Sequence, residues 1–381
     1  MAISPYTDPE YYNKFLKYSI DSTVAFAGSG CSSIPGIPTW RYFVEKLKDE
    51  VNTDINIVPL IEQGKVLEAA SLIYDALINP SDFYDGISDL IRKNRQAYFH
   101  DLHTSIWNTF NRIITTNYDD CFEHAFVNQN APLVNRGIQP DTLTLQQIPT
   151  LNFDSFEGGD KSIAYIHGRA GSQNLILRKE DYQKYYPSWH PDESPEPSDN
   201  LEEFLKLAVE KYSFVFIGFS LDDEDFVKSF ETFRENYKEV NKDNPIALTQ
   251  FANRNHFIFL LNDDLKDWVN IEDIKRAKLS LDKIYDAQIL QPYDGVDSER
   301  MIFRRNFQSS FDRACFTPEE RSRTIALSER LLNNKRKLQR LEKLNILDIR
   351  IPGKDFKAIS SFLTGIKKTV DSADEIDIND I

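Results

Sequence analysis

Five short apolar runs, each ending abruptly in glycine or polar residues, constrain this chain more than anything else in its sequence. They are Val24–Ala27, Arg112–Thr115, Ile163–Ile166, Ser213–Ile217 and His256–Leu261, and a sixth, Gln288–Pro292, closes the series. Stretches with helical spacing separate them. Such alternation predicts an α/β fold built on a doubly wound, Rossmann-like parallel sheet. Sheets of this kind collect ligands at the C-terminal ends of their strands. Those ends carry Gly28-Ser29-Gly30, Thr116-Asn117-Tyr118-Asp119, His167-Gly168, Gly218-Phe219-Ser220 and Asn262-Asp263. One polar rim is therefore expected.

A chain of 381 residues has room for two or three domains. From about 45 to 110 the pattern is helical, which reads as an insertion into the nucleotide-type fold. After about residue 305 the strand pattern stops. Thr317-Pro318-Glu319-Glu320 is a helix start, and Leu327, Leu331, Leu338, Leu341 and Leu344 follow with helical spacing. The expected organisation is a catalytic domain over 1–305 and a C-terminal helical extension over 306–381 that contacts a partner or assembles. Its basic residues Lys335, Arg336, Lys337, Arg340 and Lys343 form either a solvated helix face or an assembly surface. The segment Pro187–Pro197 reads as an exposed loop.

The net charge of −15 disfavours direct binding to nucleic acid or an anionic membrane. No run of 18 apolar residues offers a membrane span. The three cysteines, Cys31, Cys121 and Cys315, are scattered and odd in number. They fit a reducing cytoplasm and leave no four-cysteine zinc site.

The candidate residues each carry two readings. Bare backbone N–H groups at Gly28-Ser29-Gly30 form either a pyrophosphate cradle or a tight strand-to-helix turn. An ordinary dinucleotide fingerprint wants a third glycine where Ser33 stands, and an acidic residue ending a second strand. Glu45, Asp49 and Glu50 lie at that distance but have helical spacing, so hydride transfer is disfavoured. Asn117 either holds a ribose hydroxyl or a water, or forms a turn. Asp119 and Asp120 either serve the site or cap the next helix. His167, at a strand tip, can take a proton from a hydroxyl or water, and Gly168 allows close approach. Asp222-Asp223-Glu224-Asp225 suits a helix N-terminus better than a metal. Asn262 meets a sugar hydroxyl or makes a turn. His100 and His103 read as helix surface, His124, His190 and His256 as structural, and Cys31 as a packing residue.

Taken together, these residues resemble the sirtuin family. Gly28 to Arg41 is similar to its Gly-Ala-Gly-x-Ser…Gly-Ile-Pro-x-x-Arg signature, with Ser29 for Ala. Thr116-Asn117-Tyr118-Asp119 resembles Gln-Asn-x-Asp, His167-Gly168 the catalytic His-Gly pair, and Gly218-Phe219-Ser220-Leu221 the Gly-Thr-Ser-Leu loop. The resemblance implies NAD+ as substrate. It places pyrophosphate on Gly28, Ser29, Gly30, Ser32, Gly218 and Ser220, the adenosine ribose on Asn262, and Arg41 in the cofactor-binding loop. Asn117, Asp119 and His167 become the catalytic residues. Deacylating sirtuins carry a zinc ribbon after His-Gly, but Arg169 to Asn200 contains no cysteine, so no zinc is expected. The Thr-Thr-Asn-Tyr-Asp form and Leu175–Tyr182 resemble bacterial sirtuin-like NAD hydrolases of antiphage defence. That branch implies NAD+ depletion, a homo-oligomer, and a protein partner such as a HerA-type ATPase, with nucleic acid reached only through a partner. A deacylase, an ADP-ribosyltransferase and a non-catalytic NAD or ADP-ribose sensor are the alternatives.

Overall fold

The computed structural model describes residues 9–16, 20–62, 64–186, 200–219, 221, 224–252, 254–261, 340–341, 344–351 and 356–374. Seven strands form one sheet: β1 (Thr23–Ala27), β2 (Arg112–Thr115), β3 (Leu143–Gln147), β4 (Lys161–Tyr165), β5 (Ser213–Ile217), β6 (His256–Leu261) and β7 (Ile346–Ile351). Their order is β3-β4-β2-β1-β5-β6-β7, and every pairing is parallel. From β1 the chain builds outward to β2, β4 and β3 on one side, and to β5, β6 and β7 on the other. The switch point of this doubly wound α/β sheet therefore lies between β1 and β5.

Both faces of the sheet are covered, which is why the central strands read as unbroken apolar runs. Alternate residues serve opposite layers. Val24, Phe26, Phe214 and Phe216 join one core with helices Phe153–Gly158, Leu201–Lys211 and Glu224–Val240. Ala25, Ala27, Val215 and Ile217 join the other with helices Asp101–Thr109, Cys121–Asn135 and Phe356–Asp374. The expected helical insertion lies between β1 and β2. Helices Trp40–Glu50, Val58–Glu62, Val66–Asp75 and Ser81–Asn94 pack around a third core that includes Phe43, Leu47, Ile73, Phe83 and Ile87.

Four expected strands stand where the apolar runs placed them, and the run at Ile163–Ile166 forms β4 two residues earlier. Two strands escaped the sequence reading. β3 is a polar edge strand, Leu-Thr-Leu-Gln-Gln, with little apolar signal. β7 overturns the expectation that strands end at about residue 305: Ile346, Ile349 and Ile351 are buried, while the intervening Asp348 accepts from Arg350 Nε at 2.6 Å. The run Gln288–Pro292, the loop Pro187–Pro197 and most of the expected C-terminal helix lie outside the described residues.

Ile349 has no exposed surface and lies in the same core as β1 and β5. Ile349→Ala is expected to lower unfolding free energy by about 2–5 kcal/mol in a denaturant titration. A loss below about 1 kcal/mol would mean that β7 is not part of the cooperative sheet.

Candidate functional site

The register brings four strand ends to one level. Ala27 pairs with Thr115 on one side and Ile217 on the other, and Thr115 pairs with Tyr165. Asn117 and His167 thus each stand two residues beyond a paired position, on neighbouring strands about 4.8 Å apart.

Thr115 shapes the end of β2. Its hydroxyl donates to Ala27 O at 3.0 Å and accepts from Asn117 N at 3.1 Å. The Asn117 Nδ2 group then donates to Gly28 O at 3.0 Å and to Ser32 Oγ at 2.8 Å. Ser32 Oγ donates onward to Asp119 Oδ2 at 2.6 Å. Asp119 Oδ1 accepts from Cys121 N at 3.0 Å, at the start of helix Cys121–Asn135. Asp119 thus holds a helix start and, through Ser32, joins the hydrogen-bond chain that leads to Asn117. Asn117, Ser32 and Asp119 are all buried. With both Nδ2 hydrogens engaged, Oδ1 is the part of Asn117 that remains to accept from a hydroxyl or water.

His167 lies on the adjacent strand end, buried against Tyr182 and Tyr186, with Nε2 and the Tyr186 hydroxyl 3.2 Å apart. Burial pulls its pKa down to about 3, so the imidazole is neutral at physiological pH. Gly168 has φ +82°, and a side chain there would meet Asn174 O at 2.1 Å. Only glycine lets the chain double back so that Ile176 N reaches His167 O at 3.0 Å. Leu175 and Leu177 then enter the core of the insertion, and Tyr118 Oη donates to Ile176 O at 2.6 Å.

At the switch point the turns after β1 and β5 interlock. Gly28 N donates to Ile217 O and Gly30 N to Gly218 O, both at 2.9 Å, while Cys31 N donates to Gly28 O at 3.0 Å. A methyl group on Gly28 would lie 2.5 Å from Gly218 O. Ser29 is half-buried at the first position of the short helix Ser29–Ser33. Cys31 is fully buried and its thiol donates to Ile217 O, and burial raises its pKa, as a packing residue requires. Arg41 is exposed and pairs with Glu45 of its own helix at 3.4 Å. Ser220 and Asn262 lie outside the described residues, as do Asp222, Asp223 and His190.

A cleft of about 400 Å³ opens between the insertion and the loops after β2 and β4, lined by residues that include Ile91, Arg95, Tyr98, Tyr118, Asp119 and Arg169. Arg95 pairs with Asp120, and Arg169 grips Glu123 through Nε and Nη2 at 2.6 and 2.8 Å. The cleft thus reaches the carboxylate end of the Asn117–Ser32–Asp119 chain.

The other histidines divide. His256 accepts from Phe214 N at 3.1 Å, a structural role, and the half-exposed His124 pairs with Asp120. His103 corrects the expectation of a helix surface: it is fully buried, and burial lowers its pKa to about 4. The reason is local. His100 caps the helix by accepting from Leu102 N, and His103 Nδ1 accepts from His100 N at 3.2 Å, which turns that ring inward. Sequence reasoning missed Tyr186 altogether. Its only signal was the spacing Tyr182-x-x-x-Tyr186, which stacks the two rings beside His167. No group of His, Cys, Asp and Glu among the described residues has metal-holding geometry. No helix among them is long and apolar enough to cross a membrane.

The family model of the SIR2-like domain matches residues 111–279. The matched span includes Asn117, Asp119, His167, Gly218 and Ser220, and begins after the Gly28–Arg41 run. No curated protein matches the chain.

The folded pKa of His167, about 3, lies below its ordinary value of 6.5. As pH falls below 6.5 the unfolded chain takes up a proton that the folded chain refuses, so stability declines. The expected slope is about 1.4 kcal/mol per pH unit from this residue. His167→Gln should make the stability profile shallower by that amount between pH 6.5 and 4. Parallel wild-type and variant profiles would mean that His167 is not buried in its neutral form.

Proposed function

We propose that this chain is an NAD+ glycohydrolase, releasing nicotinamide and ADP-ribose. The observation that carries the reading is the pair at adjacent strand ends: Asn117, fixed through Nδ2 with Oδ1 presented, beside His167, buried and neutral. The match to the SIR2-like domain supports NAD+ as the substrate.

In this mechanism the bond between ribose C1′ and the pyridinium nitrogen breaks, and its electron pair neutralises the departing nicotinamide. The ring is already a good leaving group, so the protein's work is to position it and exclude water until cleavage. Asp119 helps place the carboxamide, and its buried charge favours the oxocarbenium-like ribose. Asn117 Oδ1 orients the ribose hydroxyl or the attacking water. His167 acts as the base toward water or a ribose hydroxyl as water adds to C1′, and because burial disfavours the charged ring the proton passes on to solvent, the Tyr186 hydroxyl offering the next hydrogen bond along that path. Ser32 joins Asn117 to Asp119, in addition to the pyrophosphate role that the resemblance implies. Gly28, Ser29, Gly30, Gly218 and Ser220 hold the pyrophosphate, Asn262 the adenosine ribose, and Arg41 closes over the substrate.

The absence of cysteine between Arg169 and Asn200, together with Leu175 and Leu177 packed into the insertion, favours this reading over a zinc-ribbon deacylase. The cleft beside Asp119 gives ADP-ribosyl transfer a specific footing, since an acceptor entering there would replace water. The resemblance to antiphage NAD hydrolases supports a cytoplasmic enzyme that depletes NAD+ during infection and is controlled by self-assembly or by a partner such as a HerA-type ATPase.

Purified protein, alone and with its partner, is expected to convert NAD+ to free nicotinamide and ADP-ribose, followed by chromatography. ADP-ribose attached to protein instead would establish transfer, and intact NAD+ under both conditions would refute the enzyme. His167→Ala should cut turnover by about 10²–10⁴-fold. Asn117→Ala should lower turnover while the variant still unfolds cooperatively. Wild-type turnover in either variant removes that residue from the mechanism.

A further inference from the structure

We propose that two side chains flanking β7 form an autoinhibitory strap: Phe356 plugs the phosphate turn, Arg340 latches the loop beside it, and nucleotide enters once these two side chains withdraw. The proposal rests on the NAD+ reading above.

The first observation is steric. The Phe356 ring reaches over Gly30 so closely that a methyl group on Gly30 would lie 2.7 Å from Phe356 Cζ. The same methyl would lie 2.8 Å from Gly218 Cα and 2.9 Å from Gly218 O, so the ring and the β5 turn crowd the glycine together. The space that bare backbone normally leaves for a phosphate holds an apolar ring.

The second observation concerns what the ring does. Gly28 N, Gly30 N and Cys31 N donate to carbonyls of the β1 and β5 turns themselves, with or without Phe356 in place. Phe356 therefore acts by occupying space: a phosphate beside this turn would shed its water against a phenyl ring.

The third observation is a separate contact from the same part of the chain. Arg340 Nη1 donates to Leu221 O at 2.8 Å. Leu221 is a buried non-glycine residue at φ +60°, in the loop that follows β5. Backbone strain of this kind persists only where its surroundings impose it. Arg340 supplies part of that restraint, so the C-terminal segment holds the β5 loop as well as the β1 turn.

Phe356 is not a loose side chain. Further along its helix, Ile359 and Leu363 are fully buried in the sheet's core. The Ser360 and Ser105 hydroxyls meet at 2.7 Å, and the Phe362 ring lies 5.5 Å from that of Phe259. These contacts aim the first residue of the helix at Gly30. Whatever turns the Phe356 ring aside opens the turn.

The test is calorimetric titration of the full chain with ADP-ribose, which the proposed reaction does not consume. Phe356→Ala is expected to bind at least 10-fold tighter than wild type, Phe356→Leu to fall between them, and Arg340→Gln to bind several-fold tighter. Thermal unfolding of each variant checks that the fold is kept. If Phe356→Ala does not fold, Phe356→Leu and Arg340→Gln decide by the same criterion. Affinity unchanged or weaker than wild type in the folded variants overturns the strap and leaves the NAD+ reading standing. No binding by wild type or any variant overturns the NAD+ reading and the strap with it.

Discussion

Two backbone hydrogen bonds, Gly28 N to Ile217 O and Gly30 N to Gly218 O, join the turns on either side of the switch point, and the geometry of the rim follows from them. They pull the turns so close that side chains at Gly28 and Gly218 have no room. The Gly28 carbonyl is thereby aimed at Asn117, and the short helix that follows delivers Ser32 between Asn117 and Asp119. If the two turns parted, Asn117 would lose one partner and the Ser32 bridge would lose its anchor. The same contact that closes the sheet at its centre thus orients the amide at its edge.

The electrostatics of the rim depend on the same economy. Asp119 is buried, and such a carboxylate is costly unless its oxygens are occupied. The Ser32 hydroxyl and the Cys121 amide occupy them, the second at the positive end of helix Cys121–Asn135. One strand over, His167 is buried against Tyr182 and Tyr186, and that burial keeps the ring neutral. A hydrogen-bonded carboxyl on one strand end and a neutral imidazole on the next follow from what each side chain meets when water is excluded.

Much of this was legible in the sequence because the central strands are buried on both faces, which leaves continuous apolar runs that stop at the rim. Asn117, Asp119 and His167 could be singled out by their position after those runs. The edges were not legible. β3 has one neighbour and a polar composition, and β7 interrupts its apolar pattern with Asp348 and Arg350, which satisfy one another in the fold. Ser32 was legible as a residue of the turn after β1, but its link to Asp119 joins positions distant along the chain. Tyr186 and His103 are placed by signals too slight to read alone, a four-residue spacing to Tyr182 and a bond from His100 N. A histidine in a helix looks the same in sequence whether its ring faces water or, as at His103, meets the Phe122 ring.

The insertion between β1 and β2 has an apolar core of its own, separate from the two that cover the sheet. One wall of the cleft beside Asp119 comes from that layer, and the facing loops come from the sheet. A layer with its own core can open as a cooperative unit while the strands stay paired. Its core also takes in Tyr118, which stands between Asn117 and Asp119, so a change in the width of the cleft is felt at the strand end beneath it. Access and alignment are coupled through one shared core.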